Sequence, residues 1–103
     1  MKKLFDTPII DRPLSMAQGF QKIYRFPNNY GASVVRFKMP VGGGYGSYTN
    51  DETEFELAVI KFEGKDNNDF KLTYETPITS NVIGYLKEKD VEKILNKIKK
   101  LKA

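Results

Sequence analysis

The sequence predicts an α+β domain: an antiparallel sheet of about four strands, arranged as two hairpins, packed by one C-terminal amphipathic helix. Three observations carry this. Phe55-Glu56-Leu57-Ala58-Val59-Ile60-Lys61-Phe62 is the most apolar run in the chain, and it is apolar at both odd and even positions, as a central strand covered on both faces requires. Turn residues separate the remaining β-branched and aromatic runs. Val91, Ile94, Leu95, Ile98 and Leu101 fall at i, i+3, i+4, i+7 and i+10, one stripe of a helix.

Taken in order, residues 1–18 read as an N-terminal arm and residues 19–103 as a single α+β domain. In the arm, Pro8 and Pro13 push their predecessors toward extended geometry. Leu4, Phe5, Ile9, Ile10 and Leu14 offer apolar cover for one edge or face of a sheet. The arm either docks on the domain or engages a partner. Residues 20–26 and 32–38 form the first hairpin, joined by Pro27-Asn28-Asn29-Tyr30-Gly31, whose Asn and Gly tolerate positive φ. Phe20, Tyr24 and Phe26 share one face. A glycine-rich loop, residues 39–53, leads into the central strand, residues 55–62.

After a polar turn at residues 64–69, the stretch 70–74 alternates. It places Phe70, Leu72 and Tyr74 inward and Lys71 and Thr73 outward, a half-buried partner for the central strand. Pro77 ends it. Residues 79–86 read as a connector or one helical turn, and residues 88–101 as the helix. Glu88, Asp90 and Glu92 stand in its first turns and Lys97, Lys99, Lys100 and Lys102 near its end, the order the helix dipole favours. Lys87, before the first acidic residue, is a poor N-cap.

Composition narrows the chemistry. The 103 residues contain no Cys and no His, which removes disulfides, thiolate and imidazole catalysis and nearly every zinc or transition-metal site. No calcium-type loop of spaced carboxylates is present, so no metal and no cofactor is expected. The net charge of +4 belongs to one segment: residues 87–103 hold seven Lys against Glu88, Asp90 and Glu92, whereas residues 1–86 balance ten Lys/Arg with ten Asp/Glu. No stretch approaches the roughly 20 apolar residues of a membrane span. Lys2 and Lys3 open the chain as in a signal peptide, but Asp6, Pro8 and Asp11 interrupt any apolar region, so the expected compartment is the cytoplasm.

Four constellations could carry function. Gly42-Gly43-Gly44-Tyr45-Gly46-Ser47 superficially resembles a phosphate loop, but it lacks a Gly-Lys-Ser/Thr ending and precedes a strand. It is a flexible hairpin loop or a recognition loop in which Gly43, Gly44 and Gly46 lend mobility to the contact residues Tyr45 and Tyr48. Lys93, Lys97 and Lys100 cluster opposite the apolar stripe, as a solvated face or as a footprint for nucleic acid or an acidic partner. The face of the central strand away from the helix needs cover, from the arm, a second copy in a homodimer, or a partner. Sheet-borne aromatics with Arg and Lys also suggest single-strand binders, although the aromatic motif of sheet-type RNA readers is missing. Among the carboxylates, Glu54 and Glu56 share a face with no nucleophile or base nearby, so no catalytic residue is expected.

Tyr24-Arg25-Phe26-Pro27-Asn28-Asn29-Tyr30-Gly31-Ala32-Ser33-Val34-Val35, Glu56-Leu57-Ala58-Val59 and the run from Tyr74 through Thr76-Pro77-Ile78-Thr79 to Leu86 together resemble a group of small, uncharacterised proteins of phages and prophages of Gram-positive bacteria. The resemblance covers about residues 22–101. It departs at Lys87, where the group carries a Thr N-cap, and along the helix, which is acidic in the group. What it implies is a setting, the cytoplasm of an infected or lysogenic host, and no catalytic residue. In that setting the expectation is a stoichiometric binder that modulates or inhibits a host protein, an anti-defence (anti-CRISPR-like) factor being its sharpest form. A nucleic-acid-binding accessory protein using the lysine-rich helix, directly or through its partner, is the alternative, and a structural role in the virion comes third.

Overall fold

The computed structural model describes residues 3–14, 18–38, 49, 53–73, 76, 78 and 82–102. A 3-10 turn, Leu4–Asp6, is followed by β1 (Ile10–Pro13), β2 (Gln18–Arg25), β3 (Tyr30–Lys38), β4 (Phe55–Phe62), β5 (Phe70–Leu72), β6 (Ile83–Leu86) and the helix α1 (Glu88–Lys99). Among the described residues six strands form one antiparallel sheet in the order β1-β2-β3-β4-β5, with β6 also paired to β4. The fold class is the predicted one. The strand count is not: about four were expected, and β1 and β6 are the additions.

β4 organises the sheet. Phe55, Leu57 and Val59 face α1, while Ala58, Ile60 and Phe62 face away, and all six are buried. The register Val34↔Leu57 and Ala32↔Val59 continues the helix-side core onto β3. Tyr24 extends it to β2 through Tyr24↔Ala32. Val91, Leu95 and Ile98 of α1 close this core, fully buried, and Ile94 and Leu101 pack at its margin, so the five-residue stripe read from the sequence is the face the helix buries. Each such side chain contributes about 1.5–3 kcal/mol on leaving water, which is why a short helix holds here. On the other face a smaller cluster joins Ile23, Ile60 and Phe62, with Ile10 and Phe70 against it.

Two predicted elements need correction. Residues 79–86 are not a connector or helical turn at their end: Ile83–Leu86 is a strand. Its register jumps from Leu57↔Ile83 to Phe55↔Leu86, so two residues, Gly84 and Tyr85, stand opposite Glu56. Tyr85 takes up this bulge with a φ of 58°. Ile83 and Leu86 thus reach one face at a spacing of three, and no period-2 pattern announces the strand. Leu72, expected inward, is half exposed, because β5 ends the strand order and has β4 on one side only. Tyr74 lies outside the described residues.

The N-terminal residues are built into this body. β1 pairs with β2 through Ile10↔Ile23 to Pro13↔Phe20. The Leu14 N–H donates to Gly19 O at 3.2 Å, so by alternation Arg12 aims its backbone groups at β2 while Pro13 aims outward. Pro13 therefore removes a donor from an exposed edge, which discourages strand addition there. Phe5 enters the helix-side core and meets Phe55 edge-on at 5.3 Å between centroids. The buried Tyr24 hydroxyl donates to Phe5 O at 2.7 Å.

Tertiary contacts fix both ends of α1. At its start, Asp90 Oδ2 accepts the Lys87 backbone N–H at 3.1 Å, the carboxylate half of a capping box. The Lys87 ammonium, a donor only, reaches Thr53 Oγ1 at 2.6 Å and Glu54 Oε2 at 3.6 Å instead. At its end, Asn28 of the β2–β3 turn donates its side-chain amide to Ile98 O at 2.9 Å, Lys99 O at 3.3 Å and Leu101 O at 2.8 Å. Ile98 O also accepts the Leu101 N–H at 3.1 Å, so the Asn28 amide supplements the backbone bonds that close the end of the helix. The same Asn28 accepts the Tyr30 N–H at 3.0 Å through Oδ1, so one side chain shapes the turn and caps the helix.

Candidate functional site

The exposed side of α1 is the strongest surface among the described residues. With Val91 as reference and about 100° per residue, Lys89, Lys100, Lys93 and Lys97 fall at roughly 160°, 180°, 200° and 240°. All four are exposed and stand opposite the buried stripe. From Lys89 to Lys100 the row runs about 16 Å at 1.5 Å rise per residue. The structure thus brings the predicted Lys93, Lys97 and Lys100 onto one ridge and adds Lys89. The same angular arithmetic would have found Lys89 in the sequence.

The acidic residues of the helix are committed elsewhere. Glu88 Oε2 pairs with Lys3 Nζ at 3.2 Å. That hydrogen bond, then the Glu88 charge, hold the Lys3 ammonium above its ordinary pKa. Asp90 is occupied by the Lys87 N–H. Glu92 is held hardest: Oε1 accepts the Phe5 N–H at 2.8 Å, and Oε2 accepts the Leu4 N–H at 3.1 Å and the Asn96 side-chain amide at 3.0 Å. Glu88 and Glu92 stand on the flank of α1 that meets the 3-10 turn, and Asp90 on the other flank at the helix start, so the carboxylates border the ridge that the lysines form. Among the described residues, no carboxylate pairs with Lys89, Lys93, Lys97 or Lys100. Sequence reasoning counted Glu88, Asp90 and Glu92 against the lysines. Their removal by contacts as many as 88 positions away was not legible there.

The other predicted sites fall out differently. Gly43, Gly44, Tyr45, Gly46 and Tyr48 lie outside the described residues. Glu54 is buried beside Lys87, and Glu56 stands half-buried on the face away from α1, where desolvation raises its carboxyl pKa above the ordinary range. Among the described residues no three His, Cys, Asp or Glu side chains gather as a metal site. The aromatics of the sheet are largely core: Phe20 lies between the Arg36 guanidinium at 5.0 Å and the Lys22 ammonium at 5.5 Å, and packs on Phe55. Arg25 stacks 4.4 Å from the Phe62 centroid and donates to Gly64 O at 2.6 Å, Asn67 Oδ1 at 3.0 Å and Asn29 Oδ1 at 3.1 Å, which ties the β2–β3 and β4–β5 turns together. No helix among the described residues is long and apolar enough to cross a membrane.

Comparison of the chain with protein-family models, with curated proteins and with solved structures finds no match.

Proposed function

We propose that this protein acts by binding, and that its working surface is the lysine ridge of α1, docked on the phosphates of a nucleic acid. One observation carries the reading: every carboxylate of the helix is held by a contact within the chain, so Lys89, Lys93, Lys97 and Lys100 form an exposed row with no carboxylate paired to any of them among the described residues. Such a row gains affinity from counterion release, needs no pocket, and gives an association that salt opposes.

Fluorescence anisotropy of a labelled nucleic acid, titrated with protein at several salt concentrations, tests it. Four neutralised phosphates give a log–log slope of about −3.6 on a duplex or about −2.8 on a single strand, a loss of roughly fiftyfold to one-hundred-and-fiftyfold between 50 and 200 mM salt. The triple variant K93E/K97E/K100E should lose binding while keeping its circular dichroism. A stoichiometric protein partner captured from a Gram-positive lysate, resistant to nuclease and indifferent to this triple variant, would refute the reading. It would favour the host-protein inhibitor, with contacts at Gly43, Gly44, Tyr45, Gly46 and Tyr48.

A further inference from the structure

The residues that share the ridge indicate which nucleic acid it fits. Between roughly 140° and 240° on α1 the only side chain besides the four lysines is Asn96. Its amide is already committed, to Glu92 O at 2.9 Å and to Glu92 Oε2 at 3.0 Å. The arc therefore offers no aromatic ring on which a base could stack and no free amide or guanidinium fork that could read a base edge. Lysine contributes point charge without planar bidentate geometry. Single-strand binders depend on aromatic stacking for much of their affinity, and sequence readers depend on side-chain contacts to base edges.

The shape of the row points the same way. Lys89, Lys93 and Lys97 recur at i, i+4 and i+8, about 6 Å apart along a straight, rigid axis. Asn28 of the β2–β3 turn and Lys87, whose ammonium reaches Thr53 and Glu54 just before β4, hold the two ends of that axis. A stiff row matches a stiff array of anions, and a double helix presents one charge per about 1.7 Å on a rod that stays straight over about 50 nm. A single strand would have to be ordered first.

From this we infer that the ligand of the ridge is the backbone of a double helix, bound through its phosphates without sequence preference. The inference rests on the proposed nucleic-acid reading and deepens it. DNA and RNA duplexes share the chemistry, and both belong in the test.

The test is anisotropy at 50 mM salt with four 24-mer probes: two DNA duplexes of unrelated sequence, an RNA duplex, and one of the DNA strands alone. The expected result has at least one duplex type bound about tenfold more tightly than the single strand, with the two DNA duplexes within about threefold of each other. Asn96→Ala should change none of these affinities. Because three glutamates on one helix face could unfold it, Lys89→Gln with Lys97→Gln serves as a milder variant, expected to weaken duplex binding at least fivefold at unchanged thermal midpoint. Lysine-dependent binding in which the single strand equals or exceeds every duplex overturns the inference and leaves the nucleic-acid reading standing. So does a preference above tenfold between the two DNA duplexes. Absence of binding to all four probes overturns both.

Discussion

Glu92 is where the N-terminal residues are held to the helix, and its removal gives the sharpest test of the fold. Its two oxygens accept the backbone N–H groups of Leu4 and Phe5 at 3.1 and 2.8 Å, and Phe5 fills the core beside Phe55. Hydrogen bonds to an ionised acceptor contribute about 1.5–3 kcal/mol each. The setting is half-buried and water recovers part of the loss, so Glu92→Ala is expected to cost about 2–3 kcal/mol. For a chain of this size that lowers Tm by roughly 10 °C. Glu92→Gln should cost nearly as much, because the amide keeps one acceptor and turns its NH2 toward the other N–H. Urea unfolding reads the stability, and hydrogen exchange at Leu4 and Phe5 reads the mechanism: both amides should lose protection ahead of those in β4. The substitution also deletes a negative charge from the helix, so affinity for a polyanion should hold or rise while stability falls. A Glu92→Ala protein that unfolds at the wild-type urea concentration, with Leu4 and Phe5 still protected, would refute the argument.

Asn28→Ala removes the side-chain amide shared by three carbonyls at the end of α1, of which Ile98 O keeps the Leu101 N–H, and should destabilise by about 1–2 kcal/mol, with urea unfolding as the measurement. Asn28→Asp should be worse than Ala, since a carboxylate there faces carbonyl oxygens and the negative end of the helix dipole. A Cβ at Gly31 would lie 1.8 Å from Tyr24 O, so Gly31→Ala forces the β2–β3 pair apart and should cost about 3 kcal/mol, seen as a depressed thermal midpoint. Glu56 sets a pH dependence. Desolvation raises its folded pKa, so the folded state holds this proton more tightly than the unfolded chain does. Its contribution is complete below the ordinary carboxyl value of 4.5 and is lost as pH rises through the raised one. Glu56→Gln should flatten that fall and leave the protein more stable at pH 7 than the parent, as urea unfolding across pH 4–8 would record.

What could be read in the sequence is what local pattern determines. β4 is legible because a strand covered on both faces must be apolar at both parities, and Phe55 to Phe62 is. The helix is legible because its buried stripe and its spacing are the same fact. The β2–β3 turn is legible because Asn29, at a φ of 66°, and Gly31, pressed against Tyr24 O, occupy positions that suit few other residues. β6 is hidden by its bulge, which sets Ile83 and Leu86 three residues apart on one face. β1 is hidden for a different reason: Asp11 and Arg12 are satisfied sideways, by Lys22 at 2.7 Å and by the Gln21 side chain at 2.7 Å, so the strand shows no alternation.

The lysine ridge combines both kinds of information. The sequence places seven lysines in the last 17 residues and, by helical arithmetic, gathers Lys93, Lys97 and Lys100 on one side. It cannot say how much of that charge survives in the folded protein, because Glu88, Asp90 and Glu92 alternate with the lysines and would offset them on an isolated helix. Folding changes where those charges are held. The N-terminal residues bring Lys3 to Glu88 and two backbone amides to Glu92, and the helix start turns Asp90 onto the Lys87 amide. A segment more than 80 positions away in the chain thereby sharpens the charge of the surface it never covers. If that is the origin of the ridge, Lys3→Glu should weaken polyanion binding at low salt without weakening the fold, because it returns Glu88 to the helix surface and adds a second negative charge beside it. The effect should vanish once the Debye length, about 10 Å at 0.1 M, shrinks to about 3 Å at 1 M. An affinity identical to the parent's at low salt would show instead that the lysines act without help from the N-terminal residues.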